Sequence, residues 1–120
     1  MRELTGHKVN PANDVLLVEA IDGPGPGGAS HEYTITTPPP NGVATVIKFQ
    51  TGPINEAGVN GITHEALLAI LIDRMEGFQS GPYANSYNAA ALDHLRSAQG
   101  VLLDRTRERM SRGVEGTHKQ

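Results

Sequence analysis

The hydrophobic period of the chain changes once, near its midpoint, and that change limits the folds open to it. Up to Gln50, apolar residues come as short runs and alternations separated by glycine and proline; from Asn60 onward they recur at three- and four-residue spacing. Alternation sends side chains to opposite faces of a strand, whereas the longer recurrence lines one face of a helix. The expected architecture is α+β: an N-terminal antiparallel β-sheet of about three strands or more, then two long C-terminal helices.

Residues 1–14 are polar, carry Asn10-Pro11 and Asn13-Asp14, and read as a loose or paired arm. Residues 15–21 form a β-type run that stops at Asp22-Gly23. The following Gly23-Pro24-Gly25-Pro26-Gly27-Gly28 is a turn or loop, since proline removes donors and glycine removes stiffness. It is not a phosphate loop, because no Gly-Lys-Ser/Thr ending and no helix follow it. Residues 31–36 alternate, with Tyr33 and Ile35 on one face, until Pro38, Pro39 and Pro40 stop them. Asn41-Gly42 is the strongest two-residue turn signal, and residues 43–50 read as a further strand. The segment 15–50 is thus expected to be an antiparallel meander with one face needing cover.

Thr51-Gly52-Pro53 closes the sheet. Asn60 or Thr63 is suited to cap a first helix, with Glu65 early, where the helix dipole favours an acid. Leu67, Ile70, Leu71, Met75 and Phe78 make its apolar stripe, and Gly77 with Gly81-Pro82 are expected to end it. Asn85 or Ser86 caps a second helix running to about Ser111. Its stripe of Ala91, Leu95, Ala98 and Leu102 is expected to lie against the first helix or a second subunit. Gly113 is the stop, and residues 113–120 are a polar tail expected to be mobile.

A length of 120 residues suits one domain, 1–120. The core is modest: burial falls between the roughly 60% of a 60-residue domain and the about 70% of a 150-residue one. Association would add burial, so a homo-oligomer, a dimer or a multiple of it, is expected. Cysteine is absent, which removes disulfides, thiolate metal sites and a cysteine nucleophile. The longest apolar run, residues 66–72, is far short of the ~20 residues of a membrane span, and residues 1–7 lack the apolar stretch of a signal peptide; a cytoplasmic location is expected. The net charge of −3 argues against a DNA or RNA duplex partner.

No catalytic set emerges. The histidines at 7, 31, 64, 94 and 118 are scattered, with no i, i+4 pair beside a carboxylate, so no metal and no cofactor are expected. There is no Gly-x-Ser-x-Gly elbow. Binding rather than catalysis is the reading. Two features bear on the ligand. Arg105, Arg109 and Arg112 share one helical face, with Arg107 elsewhere: either a basic last turn paired with Asp104 and Glu108, or an anion site whose guanidinium forks match phosphate oxygens. The connection over residues 77–88 holds Phe78, Tyr83 and Tyr87 among amide side chains. That composition suits either an apolar plug for the helix pair or a purine stacked on a ring and bonded at its edge.

Several stretches carry a family resemblance: Gly27-Gly28-Ala29-Ser30-His31-Glu32-Tyr33-Thr34-Ile35, Phe49-Gln50-Thr51-Gly52-Pro53, Gly58-Val59-Asn60-Gly61-Ile62-Thr63-His64-Glu65-Ala66-Leu67-Leu68, Phe78-Gln79-Ser80-Gly81-Pro82-Tyr83, and the arginine-rich residues 105–118. These resemble a small phage and prophage protein type, and the size and order of elements are similar to the first-described Thoeris anti-defence proteins. The resemblance implies a sponge, which binds the cyclic ADP-ribose-type signal of a bacterial TIR enzyme in the host cell without cleaving it. It also implies, for some members, a separate site for cyclic tri- and dinucleotides within a larger assembly. The family's phenylalanine and the asparagine ten residues on correspond to Phe78 and Asn88, and an arginine of its last helix to Arg105. A family arginine near the sheet has no counterpart, since the only early arginine is Arg2.

The function expected is therefore sequestration of a cyclic ADP-ribose isomer. Phe78 would stack on the adenine, Asn88 would bond its edge, and Arg105 and Arg109 would take the pyrophosphate. The rivals are an interaction protein whose basic helix face docks an acidic partner, and a small nucleotide-processing enzyme.

Overall fold

A computed structural model describes residues 1–120 as two compact units, Met1–Gly61 and Ile62–Gln120. The first unit is a four-stranded antiparallel sheet in the order β1-β2-β3-β4, with strands Arg2–Leu4, Leu17–Ala20, Glu32–Thr36 and Ala44–Lys48. The expected sheet is present, and β1 shows that the N-terminal arm is paired. Asn10 caps the short helix α1, Pro11–Asp14, between β1 and β2. In the register, Leu4, Val18, Ile35 and Thr45 align across the strands, as do Arg2, Ala20, Tyr33 and Ile47. One face therefore gathers the apolar side chains, with Ala20 fully buried and the Tyr33 and Phe49 rings edge to face at 5.8 Å.

Asp22 organises the glycine–proline loop. Its carboxylate accepts the backbone N–H groups of His31, at 2.9 and 3.0 Å, and Glu32, at 3.0 Å. Ser30 donates its hydroxyl to the Asp22 carbonyl, 3.0 Å away. The β3–β4 connection differs from a two-residue turn at Asn41-Gly42. Thr37 donates its N–H to Val43 at 2.9 Å, leaving five residues in the loop. Three consecutive prolines have no N–H to continue the ladder, so pairing stops before Asn41 is reached.

After β4 the chain passes through α2, Ile54–Ala57, and is drawn back by two amide side chains. Gln50 donates to the Gly58 carbonyl at 2.7 Å and accepts the Asn60 N–H at 3.0 Å. Asn60 bonds both the N–H and the carbonyl of Thr51, each at 2.8 Å. The two segments run so close that a Cβ on Gly61 would lie 2.4 Å from the Phe49 carbonyl carbon.

The second unit is a helical hairpin, α3 over His64–Gln79 and α4 over Ser86–Ser111. Thr63 and Asn85 are the N-caps, their side-chain oxygens accepting from Ala66 and Asn88. In α3 the residues turned inward are Glu65, Leu67, Leu68, Ile72, Met75 and Gln79. In α4 they are Asn88, Leu92, Leu95, Gln99, Gly100, Leu102, Leu103, Thr106 and Arg109. Both sets are built on three- and four-residue steps, the spacing of an antiparallel helix seam. Gln99 donates to the Glu65 carbonyl at 3.4 Å, and Arg96 pairs with Glu76 at 3.3 Å. The stripes expected from sequence are thus corrected. Ile70, Leu71 and Phe78 of α3 lie on an exposed flank, Ile70 at 64%, as do Ala91 and Ala98 of α4. Gly77 does not end α3, whose last residue is Gln79.

Two outcomes test this unit-by-unit reading. Gly61→Ala should cost about 1–3 kcal/mol, the usual penalty of forced overpacking, seen as a lower thermal midpoint by circular dichroism. The Asp22 carboxyl is held below its ordinary 3.8, first by the Glu32 and then by the His31 backbone N–H. A lowered folded-state pKa means that this loop's contribution is complete above 3.8 and lost as pH falls through the folded value. In an NMR titration the His31 and Glu32 amide shifts should move together with a midpoint below 3.8, and Asp22→Asn should abolish the transition.

Candidate functional site

The sequence-derived residues Phe78, Asn88, Arg105 and Arg109 all lie on the hairpin, but at its two ends. Phe78 is in the last turn of α3 and Asn88 in the first turn of α4, flanking the turn between the helices. The turn is built by its own amides. Asn85 donates its N–H to the Gln79 side chain at 3.0 Å, and the Gln79 amide donates to the Asn85 carbonyl at 3.1 Å. The Asn85 amide donates to the Tyr83 carbonyl at 3.0 Å while its oxygen caps α4. Of the amides in this segment, Gln79 and Asn85 are therefore bound to backbone, and Asn88 is the one whose side chain is not engaged in the turn.

Phe78 is not a core plug. It is 37% exposed and borders an open groove of about 540 Å³ lined with Ile70, Asp73, Arg74 and Gly77. Tyr83 stands nearly perpendicular to the ring, 6.5 Å between centroids. The Arg74 guanidinium lies over it at 5.0 Å, a cation–π arrangement. Arg74 was not a candidate from sequence, although its i, i+4 spacing to Phe78 is the signal that could have found it.

At the other end, Arg105, Arg109 and Arg112 do line one cavity, of about 420 Å³, together with Glu108 and residues of the tail. Their situations differ. Arg109 is only 8% exposed. It donates to the Glu115 carboxylate at 2.9 Å and to the carbonyls of Lys119 at 2.7 Å, Val114 at 3.0 Å and Thr117 at 3.3 Å. Those four bonds take most of the fork's five donors and fold the tail that was expected to be mobile onto the helix, with Arg109 as the anchor of this clasp. Arg112 pairs with Glu108 and Arg107 with Asp104, the latter at 3.1 Å. Arg105 forms no ion pair and stays exposed.

Along α4, Asn88 and Arg105 are 17 residues apart, about 25 Å at 1.5 Å per residue. One hairpin therefore does not bring Arg105 to the Phe78–Asn88 end. Among the side chains, no group of three or more His, Asp and Glu is arranged to hold a metal ion, and no helix is long and apolar enough to cross a membrane.

A small antiparallel sheet followed by a long helical hairpin, aromatic at its turn and basic at its far end, defines a hairpin-domain protein with two separate grooves. The Acb2/Tad1 hairpin domain family matches residues 41–105, from the last strand to Arg105. Thoeris anti-defense 1 of Bacillus phage SBSphiJ7 is 38% identical over 112 residues, which is 93% of this chain and 77% of that protein. The chain belongs to this phage Thoeris anti-defence family.

The two arginines of the basic end should behave oppositely on substitution. Arg109→Ala strands the Glu115 carboxylate and three carbonyls, and should lower stability by about 1–3 kcal/mol. Arg105→Ala should leave the thermal midpoint unchanged. Equal midpoints for both variants would remove the clasp.

Proposed function

We propose that this chain is a phage anti-defence protein that acts in the host cytoplasm by binding a cyclic ADP-ribose-type signal and holding it without cleavage. The observation that carries this reading is the half-exposed Phe78 ring on the border of a surface groove, at the turn of a hairpin whose family includes a protein named for Thoeris anti-defence. An aromatic face is a stacking platform for adenine, worth about 1–3 kcal/mol per base. Asn88, at the same end, offers an amide to the base edge. Arg105 keeps an unpaired guanidinium for the pyrophosphate.

The 25 Å between Asn88 and Arg105 then requires two copies of the chain. In an antiparallel pair, the turn end of one hairpin meets the basic end of the other, and two-fold symmetry makes two identical sites. The exposed apolar residues support such pairing: Ile70, Leu71 and Val101, the last 67% exposed, are left uncovered by the hairpin itself. Patches of this kind mark interaction surfaces. The two units, sheet and hairpin, act in this reading as one signal-binding domain.

Calorimetric titration with a cyclic ADP-ribose isomer tests the proposal, followed by mass spectrometry of the molecule released on heating. Unchanged ligand is expected; a new product would identify an enzyme, and no binding would favour a docking protein. Phe78→Ala and Arg105→Ala should each weaken binding about ten- to a hundredfold. Mixing the two variants should restore roughly a quarter of the sites, because half the dimers are mixed and each then has one intact site of two. No recovery on mixing would exclude the two-copy site.

A further inference from the structure

Gly77 has no evident task inside the chain. It lies in the last full turn of α3, where glycine is about 0.5–1 kcal/mol worse than alanine. It is not one of the glycines with positive φ, so its backbone does not demand glycine. A Cβ built on it would meet nothing within 4 Å, so packing does not demand glycine either. It lies, with Phe78, on the lining of the groove.

Arg74 is unusual in the same way. It makes no salt bridge, although acidic side chains elsewhere on the hairpin pair with Arg96, Arg107, Arg109 and Arg112. Its guanidinium instead rests on the Phe78 ring, at 5.0 Å. A cation–π contact at an exposed site is weak, about 0.5–1 kcal/mol, and a better partner would displace it. The ring's partners in the free protein are thus Tyr83, perpendicular to it, and a positive charge on a flexible stem.

We propose that Arg74 and Gly77 determine which ligand the Phe78 site accepts, namely a purine nucleotide with a phosphate one arginine length from its base. The inference rests on the stacking role given to Phe78 above. Gly77 provides the gap through which the planar base reaches the ring. The incoming base takes the place of Arg74 on the aromatic face, and the freed guanidinium turns to the nearer phosphate with charge-assisted bonds. The farther phosphate of a diphosphate is left to Arg105 of the second copy. A nucleoside without phosphate would displace the same arginine and offer nothing in return, so the pair selects nucleotides over nucleosides.

The test is calorimetric titration of the full chain with cyclic ADP-ribose and, separately, with adenosine. Arg74→Ala should bind cyclic ADP-ribose about tenfold more weakly, with a flatter salt dependence, yet bind adenosine as well as or better than the unaltered protein. Arg74→Lys should recover only part of the loss, because it lacks the planar fork. Gly77→Ala should raise the thermal midpoint by a few degrees, through helix propensity, while weakening both probes. That combination excludes misfolding as the cause. If the unaltered protein binds cyclic ADP-ribose and Phe78→Ala does not, while the Arg74 and Gly77 variants match the unaltered protein, this inference fails and the stacking site stands. If the unaltered protein binds neither probe, both readings fall.

Discussion

Between α3 and α4, Leu67, Leu68, Ile72 and Met75 of one helix and Leu92 and Leu95 of the other turn inward, and Gln99 of α4 donates to the Glu65 carbonyl at the start of α3. Every candidate residue is positioned by this contact. It sets the two helices antiparallel, aims the Phe78 flank outward, and carries α4 beyond the start of α3. The seam is narrow, since only Ile72 and Leu92 are buried apolar residues of the hairpin. A fully buried Leu or Ile contributes about 1.5–3 kcal/mol, so a hairpin resting on so few is marginal by itself. A second apolar flank on each helix is the natural means of adding to it.

Where α4 outruns α3, the inward positions continue, but the neighbour changes. Leu92, Leu95 and Leu102 face a helix; Arg109, on the same side of α4, faces backbone carbonyls of the folded-back tail. A guanidinium is suited to that position, because it satisfies several acceptors in one plane. One residue type thus does several jobs within two turns. Arg109 closes a clasp, Arg107 and Arg112 hold local carboxylates, and Arg105 is left with a free charge.

The separation of the aromatic and basic ends has a similar logic. A straight helix is a rigid ruler, and residues far apart along it cannot converge within one chain. In the function proposed above, a ligand needing both chemistries draws on two copies. The cation that stands at the aromatic end itself is Arg74, over the Phe78 ring.

Much of this was legible in the residues. The change of hydrophobic period gave the order of sheet and helices, the cap candidates Asn60 or Thr63 and Asn85 or Ser86 bracketed the helix starts, of which the fold uses Thr63 and Asn85, Gly113 marked the end of α4, and the lack of cysteine excluded thiol chemistry. The positions of Phe78 and Asn88 at one end of the hairpin followed from the helix boundaries alone. Which apolar stripe faces inward did not. Periodicity gives the angle of each side chain about its own helix axis and says nothing of where the neighbouring helix stands, so the expected stripe of Leu67, Ile70, Leu71, Met75 and Phe78 was right at Leu67 and Met75 and wrong at Ile70, Leu71 and Phe78. The same gap hid the task of Arg109. Its spacing from Arg105 and Arg112 shows that the three share a side, whereas its burial depends on a tail that returns to cover it. Contacts of that kind are decided by the folded chain, where each side chain meets whatever the rest of the molecule brings beside it.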